Sequence, residues 1–180
     1  DRAYWAYQPL QAPAIAEFSS VDRVRTSIDA IVLARLRNKG LSFSPDADKR
    51  TLLIRAALDL TGLPPSPAEI EAFANDDRAE AYETALDKLL ESPLYGERWG
   101  RHWLDVAGYA DSDGNGTEDA VRPYAYKYRD YVIRSLNADK PLNQFLIEQL
   151  AGDELVAQPW KNLSAQQIEL LTATGFLRTA

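Results

Sequence analysis

The run Asp111-Ser112-Asp113-Gly114-Asn115-Gly116-Thr117-Glu118-Asp119 concentrates the chemistry of this chain. Oxygen-bearing side chains at alternate positions, followed by glycine, match the first half of an EF-hand loop. There, positions one, three and five aim carboxylate or amide oxygens at one calcium ion while the glycine turns the chain. In that register Asp111, Asp113 and Asn115 are metal ligands and Gly116 makes the turn. Thr117 then offers its carbonyl, and Asp119 contributes directly or through water. The second half of the motif is missing. Glu118 stands where an aliphatic residue belongs, and Arg122 stands where the bidentate glutamate belongs. A cation here needs further ligands from elsewhere in the fold. The same residues equally suit a polar connector, in which Asp and Asn supply turns and an N-cap. Arg98, Arg101 or Arg122 would then neutralise the carboxylates in place of an ion.

Just upstream, Arg98, His102, Asp105 and Tyr109 recur at intervals of four, three and four residues. On a helix that spacing lines up a guanidinium, the only imidazole, a carboxylate and a phenol, all leading into the acidic run. As catalysts, His102 and Asp105 would form an acid/base pair; as structure, the row is a hydrogen-bond ladder that fixes how the helix packs. Trp99, Trp103, Val106 and Ala110 form a neighbouring apolar stripe, expected to face the core. After the acidic run, Tyr124, Tyr128 and Tyr131 share a face. They read either as a core with polar tips or as an exposed stacking surface for sugars or a partner.

The elements that must position these groups are helical. Ile28, Ile31, Val32 and Leu36 recur at helical spacing and stop at Gly40. Ser44-Pro45 offers an N-cap and first-turn proline for a second helix carrying Leu52, Leu53, Ala56, Ala57 and Leu60, stopped by Gly62 and Pro64-Pro65. Ser66-Pro67-Ala68-Glu69 is a capping box. Tyr82, Leu86, Leu89 and Leu90 form the next stripe, ended by Ser92-Pro93. Helices follow from about Tyr95 to Ala110, Pro123 to Asn137 and Pro141 to Ala151, and Ser164-Ala165-Gln166-Gln167 opens the last one. No segment alternates with period two, so no sheet is expected. The fold class is all-α: a single compact domain of about seven or eight short helices over residues 19–180, with an extended N-terminal arm over 1–18. The arm mixes aromatics with prolines; it reads either as an arm lying on the body, with Trp5 and Tyr7 expected to pin it, or as a domain linker.

Composition narrows the chemistry. The chain has 180 residues, 46% of them hydrophobic and 26% charged, with a formal net charge of −7. That length can bury a substantial core. No run approaches the roughly 18 apolar residues that membrane insertion requires. The acidic balance argues against nucleic acid. With no cysteine, the chain holds no disulfide, thiolate nucleophile, cysteine-ligated zinc or covalent haem, and a single histidine leaves little room for a histidine-rich metal centre. The first residue is Asp1, without a leader, so the chain reads as a mature product or an excised piece.

Several strings together resemble a known family. They are Leu60-Thr61-Gly62-Leu63-Pro64-Pro65, Tyr95-Gly96-Glu97-Arg98-Trp99, His102-Trp103-Leu104-Asp105 and Tyr109-Ala110-Asp111-Ser112. Tyr128-Arg129-Asp130-Tyr131-Val132-Ile133, Glu148-Gln149-Leu150-Ala151-Gly152-Asp153 and the opening Tyr4-Trp5-Ala6-Tyr7-Gln8-Pro9-Leu10 belong with them. These look like the planctomycete cytochrome-associated domain of unknown function, and the resemblance spans essentially the whole chain. It implies an exported, multidomain protein (periplasmic or extracellular) whose neighbouring domains often include a haem-binding cytochrome c-like module. It implies no established activity. The chain departs from the family pattern at Gly108, where arginine is usual, at Tyr126, where tryptophan is usual, and at Asn115, often an aromatic.

Three functional classes follow. The first is an accessory binding module of a cytochrome-linked protein, with its partners on the same polypeptide and with calcium in the 111–119 loop. The second is part of an extracellular hydrolase or oxidoreductase using His102 with Asp105, Asp111 or Asp113, which needs carboxylates with separated pKa values in an open cleft. The third is a glycan- or partner-binding module presenting Tyr124, Tyr128 or Trp160.

Overall fold

The computed structural model describes residues 3–178 apart from 16, 19–21 and 115–116. Its described residues hold helices and no strand: α1 (Ser27–Arg37), α2 (Lys49–Leu60), α3 (Pro67–Ala74), α4 (Ala81–Leu90), α5 (Pro93–Val106), α6 (Ala125–Asn137), α7 (Leu142–Ala151) and α8 (Ala165–Ala173). Short 3-10 turns cover Trp5–Tyr7 and Thr174–Arg178. The fold is all-α with an N-terminal arm, as the punctuation predicts. The chain divides into two compact units, Asp1–Asp46 and Ala47–Ala180.

The first unit carries the arm and α1. Trp5 and Tyr7 do not pin the arm; each is 76% exposed. They gather instead around Tyr4, with ring centroids 5.7 and 5.9 Å away. Prolines on the C-terminal side of this turn provide no amide donors that could extend it. Behind the arm, Arg23 holds the chain by ion-pairing with Asp46 at 3.0 Å and donating to the carbonyls of Phe43 and Ser44. Arg37 pairs with Asp22 and lies over the Phe18 ring. Thr26 and Asp29 form a reciprocal capping box at the start of α1.

In the second unit, the predicted capping boxes at Ser66 and Ser164 are both present, with Pro67 in the first turn of α3. The start expected at Ser44-Pro45 is not used. The Asp48 carboxylate accepts from the Thr51 amide at 2.9 Å and its hydroxyl at 3.0 Å, and so caps α2 four residues later. Ser44 lies outside any helix, its carbonyl taken by Arg23. Two cores result. One gathers Leu53, Phe73 and Ala81 from α2, α3 and α4; the other gathers Leu104, Ala107, Tyr128, Tyr131, Val132, Phe145 and Ala173 from α5 to α8.

The stripe predicted to face this core on α5 is misplaced. Val106 is 80% exposed, and Trp99 and Ala110 are exposed as well. The packed face is Gly96, Gly100, Leu104 and Ala107, with Trp103 half-buried beside it. The reason is close approach. A Cβ on Gly96 would come within 2.5 Å of the Ile133 carbonyl oxygen, and one on Gly100 within 3.3 Å of the Ile133 side chain. Helix α6 therefore seats on glycines, and the larger side chains of α5 flank the contact. Asn137 locks the seat by accepting from the Gly96 amide at 2.7 Å while donating to the Pro93 carbonyl at 3.1 Å. On α6, Tyr128 and Tyr131 are core with polar tips, whereas Tyr124 is 71% exposed.

Candidate functional site

Helix α5 ends in a Schellman turn. The amides of Gly108 and Tyr109 donate back to the carbonyls of Asp105 and Leu104, and Gly108 takes φ +67°. A residue other than glycine would be strained at this position. The turn delivers Tyr109 half-buried against the core, its ring 6.5 Å from that of Tyr128. Its hydroxyl donates to Asp111 Oδ1 at 2.5 Å. Burial pushes the Tyr109 phenol up to about 12, aided by the hydrogen bond and charge of Asp111 and opposed by the charge of Arg129. Arg129 in turn pairs with Asp130 at 2.9 Å.

The acidic segment then closes on itself. The Arg122 amide donates to the Asp111 carbonyl at 2.8 Å, the Asp113 amide donates to the Ala120 carbonyl at 3.0 Å, and Ser112 and Val121 form an isolated antiparallel bridge. Each described aspartate has its own partner. Asp113 binds Arg122 Nε at 2.6 Å. Asp119 accepts from the Gly114 amide at 3.0 Å, and the Ser112 hydroxyl and that amide hold its carboxyl below the usual range. Asn115 lies outside the described residues, and Thr117 is exposed. Among the described residues no three His, Asp or Glu side chains gather as a metal-binding group.

The ladder upstream spreads over the surface of α5. Asp105 pairs with Arg101 at 3.4 Å. His102 is exposed and meets the Trp99 ring edge-on at 5.4 Å, and Trp99 sits 6.1 Å from Tyr95. Arg98 lies against Gly62. Tyr124 and Tyr128 line an open cavity of about 390 Å³ with Lys127, Asp153, Thr174 and Arg178, and Lys127 sits over the Tyr124 ring at 5.1 Å. Tyr109 and Asp111 are thus brought together, whereas His102 and Asp105 turn to other neighbours.

The strongest polar assembly lies one layer deeper. Glu148, only 4% exposed, accepts from Tyr131 at 2.8 Å, Lys140 at 2.5 Å and Gln144 at 2.8 Å. Burial alone would raise its carboxyl, yet the hydrogen bonds from Lys140, Tyr131 and Gln144 outweigh it and the net shift is downward. Burial, then Glu148, keeps the Tyr131 phenol well above its ordinary range. Beside it, Gln149 Oε1 accepts from Tyr128 at 2.5 Å and from Trp103 Nε1 at 2.9 Å. The Lys140 ammonium also sits 4.7 Å from the centroid of the Tyr131 ring. This belt joins α5, α6 and α7, and no side-chain nitrogen or oxygen buried among the described residues is left unpartnered.

The belt turns α7 inside out. Its polar Glu148 and Gln149 point inward with Phe145, while Leu142, Leu146, Ile147 and Leu150 point outward at 65, 38, 52 and 58% exposure. Sequence reasoning placed this helix but not its buried polar face. The signal was available: Glu148 is its only charged residue, and it lies off the leucine row.

The model of one protein family, PSCyt2, described as a protein of unknown function (DUF1549), matches residues 27–180. The chain belongs to that family. The match begins at the first residue of α1 and takes in the Tyr109–Asp111 turn, the whole belt and the reversed α7. The family description carries no activity, so the geometry has to speak for the function. Neither a curated protein nor a solved structure matches the chain. No helix among the described residues is long and apolar enough to cross a membrane.

Proposed function

We propose that this DUF1549 chain is an accessory module that docks a neighbouring domain of its own polypeptide, within an exported, multidomain, cytochrome-linked protein of planctomycete type. The single observation that carries the docking is the outward row Leu142, Leu146, Ile147 and Leu150 on a helix whose Glu148 and Gln149 are buried. Turning apolar side chains to water while burying a carboxylate is unfavourable for an isolated domain and sensible when another surface covers the row. The row carries no charge, so it suits a apolar partner face. The exported and cytochrome-linked setting is supported by the sequence resemblance. For the 111–119 loop, the separate partners of Asp111, Asp113 and Asp119 (a phenol, an arginine and an amide) favour an internally hydrogen-bonded connector over a calcium cup. An acid/base role for His102 is disfavoured because it lines neither of the two cavities described and because Asp105 pairs with Arg101.

The test is hydroxyl-radical footprinting of Leu146 and Leu150 in this chain alone and in the full-length polypeptide. Protection only in the full-length protein is expected. Leu146→Asp with Leu150→Asp should abolish it while leaving the melting midpoint of the chain alone nearly unchanged, since exposed substitutions cost within about 0.5 kcal/mol. Equal labelling in both contexts overturns the proposal. So does protection in the isolated chain accompanied by dimer formation in sedimentation, because the cover is then a second copy.

A further inference from the structure

A second cavity, away from the belt and from α7, lies between α2, α3, α4 and the first turn of α5. Its volume is about 380 Å³, in the range of small-molecule pockets. Leu53, Ala57, Phe73 and Ala81 among its lining residues are all buried. Another wall is the turn after α2. Gly62 adopts φ +75°, a conformation that L side chains rarely take, and a Cβ there would stand 3.0 Å from Arg98 Cδ. That turn brings Leu63, Pro64 and Pro65 to the cavity.

The polar groups that line the cavity are already engaged. The Thr61 hydroxyl donates to the Ala57 carbonyl at 2.8 Å, and the Thr84 hydroxyl donates to the Glu80 carbonyl at 2.9 Å. Ser92 Oγ accepts from the Leu94 amide at 3.3 Å. Asp76 grips Arg78 through both Nε and a terminal nitrogen, and Glu69 accepts from the amide and hydroxyl of Ser66 at 2.7 and 2.6 Å. Lys88 is the exception. It is exposed, and among the described residues its ammonium has neither a hydrogen bond nor an ion pair, with Glu69 acting on it only through space.

We propose that this cavity binds a single-chain amphiphile with a carboxylate head, a fatty-acid-like ligand whose chain fills the apolar space and whose head meets Lys88. The class follows from the inventory. Largely apolar walls whose polar side chains mostly have partners within the protein suit an alkyl chain better than a sugar or another polyol, whose several hydroxyls would each need a partner. Among the lining side chains the one with no partner within the protein is a cation, which favours a ligand whose single polar end accepts hydrogen bonds and carries negative charge.

The experiment is calorimetric titration of the chain with decanoate, below its micelle concentration, and with decanol and decylamine as head-group controls. Saturable one-to-one binding of decanoate is expected. Lys88→Met should weaken decanoate by about tenfold or more, the loss of a charge-assisted contact, while leaving decanol unchanged. Ala72→Trp, at an exposed lining position where folding is not at risk, should abolish binding of both by filling the space. The proposal is overturned by absence of saturable decanoate binding, by equal binding to the wild type and Lys88→Met, or by a Ala72→Trp chain that binds as before. Decylamine binding as tightly as decanoate also overturns it.

Discussion

The molecule contains the same chemical pair twice. Tyr109 donates to Asp111 at 2.5 Å, and Tyr131 donates to Glu148 at 2.8 Å. The first pair spans two residues and lies at the surface; the second spans seventeen residues and is buried. In the first, the carboxylate faces water, so the bond shapes a turn and little more. In the second, Lys140 and Gln144 complete the carboxylate's shell, and losing the carboxylate strands the Tyr131 hydroxyl away from solvent. A hydroxyl-carboxylate bond therefore has no fixed worth here. Its weight is set by what it would leave unpaired.

The largest break in that comparison is Glu148→Ala. It strips the partner from Lys140, whose side chain is 19% exposed, and from the buried Tyr131 hydroxyl. Removing one member of a buried pair costs about 3–5 kcal/mol, which for a chain of this size is a fall of roughly 10 °C in melting midpoint. Differential scanning calorimetry reads it. The pairing also has a pH signature. The folded Glu148 carboxyl lies below its ordinary value, so its contribution is complete above the unfolded pKa and is lost as pH falls through the folded one. Glu148→Gln should flatten that acid limb. Glu148→Met with Lys140→Met should recover much of the stability at neutral pH, because no charge is then left buried alone.

Gly96→Ala comes next, and it attacks the belt from its other end. The added methyl meets the Ile133 carbonyl oxygen at 2.5 Å and the Asn137 side chain at 2.6 Å, so α5 must move off α6. Overpacking of this kind costs about 1–3 kcal/mol, partly offset by the better helix propensity of alanine, about 1 kcal/mol. The displacement should loosen Trp103 Nε1 from Tyr128 and Gln149, bonds of 3.0 and 2.9 Å. Near-UV circular dichroism should lose intensity in the tryptophan region. A stability gain, as for alanine in an open helix, would place the α5–α6 seat elsewhere.

These two variants mark where the sequence could and could not be read. Helix starts were legible wherever the signal was local: Ser66 and Ser164 cap through neighbours three residues away. Ser44-Pro45 misled because Asp48 offered a better acceptor to Thr51, a competition that no single position displays. The face of α5 was misassigned because periodicity ranks side chains by hydrophobicity, whereas packing chose glycines for close approach to α6. Tyr109 and Asp111 could be grouped because they are adjacent. Glu148, Lys140 and Tyr131 could not, since folding alone brings α6 and α7 together.

The smallest expected effect sharpens the surface half of the comparison. Asp111→Asn keeps the size of the side chain and removes its charge. Because Asp111 is exposed, the stability change should stay below about 1 kcal/mol. The titration of Tyr109 should respond more clearly than the stability does. Its phenol stands at about 12, with burial as the first cause and the Asp111 hydrogen bond and charge behind it. Without Asp111 the value should drop while remaining above that of a free tyrosine, because burial is untouched. A raised phenol contributes stability that is full below the unfolded pKa and lost as pH climbs through the folded one. In both chains the loss therefore starts at the same unfolded pKa, but in the variant it should be smaller and level off at a lower pH than in the wild type. Absorbance titration of ionising tyrosine, with Tyr109→Phe subtracted to isolate one phenol among nine tyrosines, makes the measurement. An unchanged Tyr109 titration would mean that burial alone sets the phenol. The surface pair would then be a contact without electrostatic consequence, and the contrast with Glu148 would be one of kind rather than of degree.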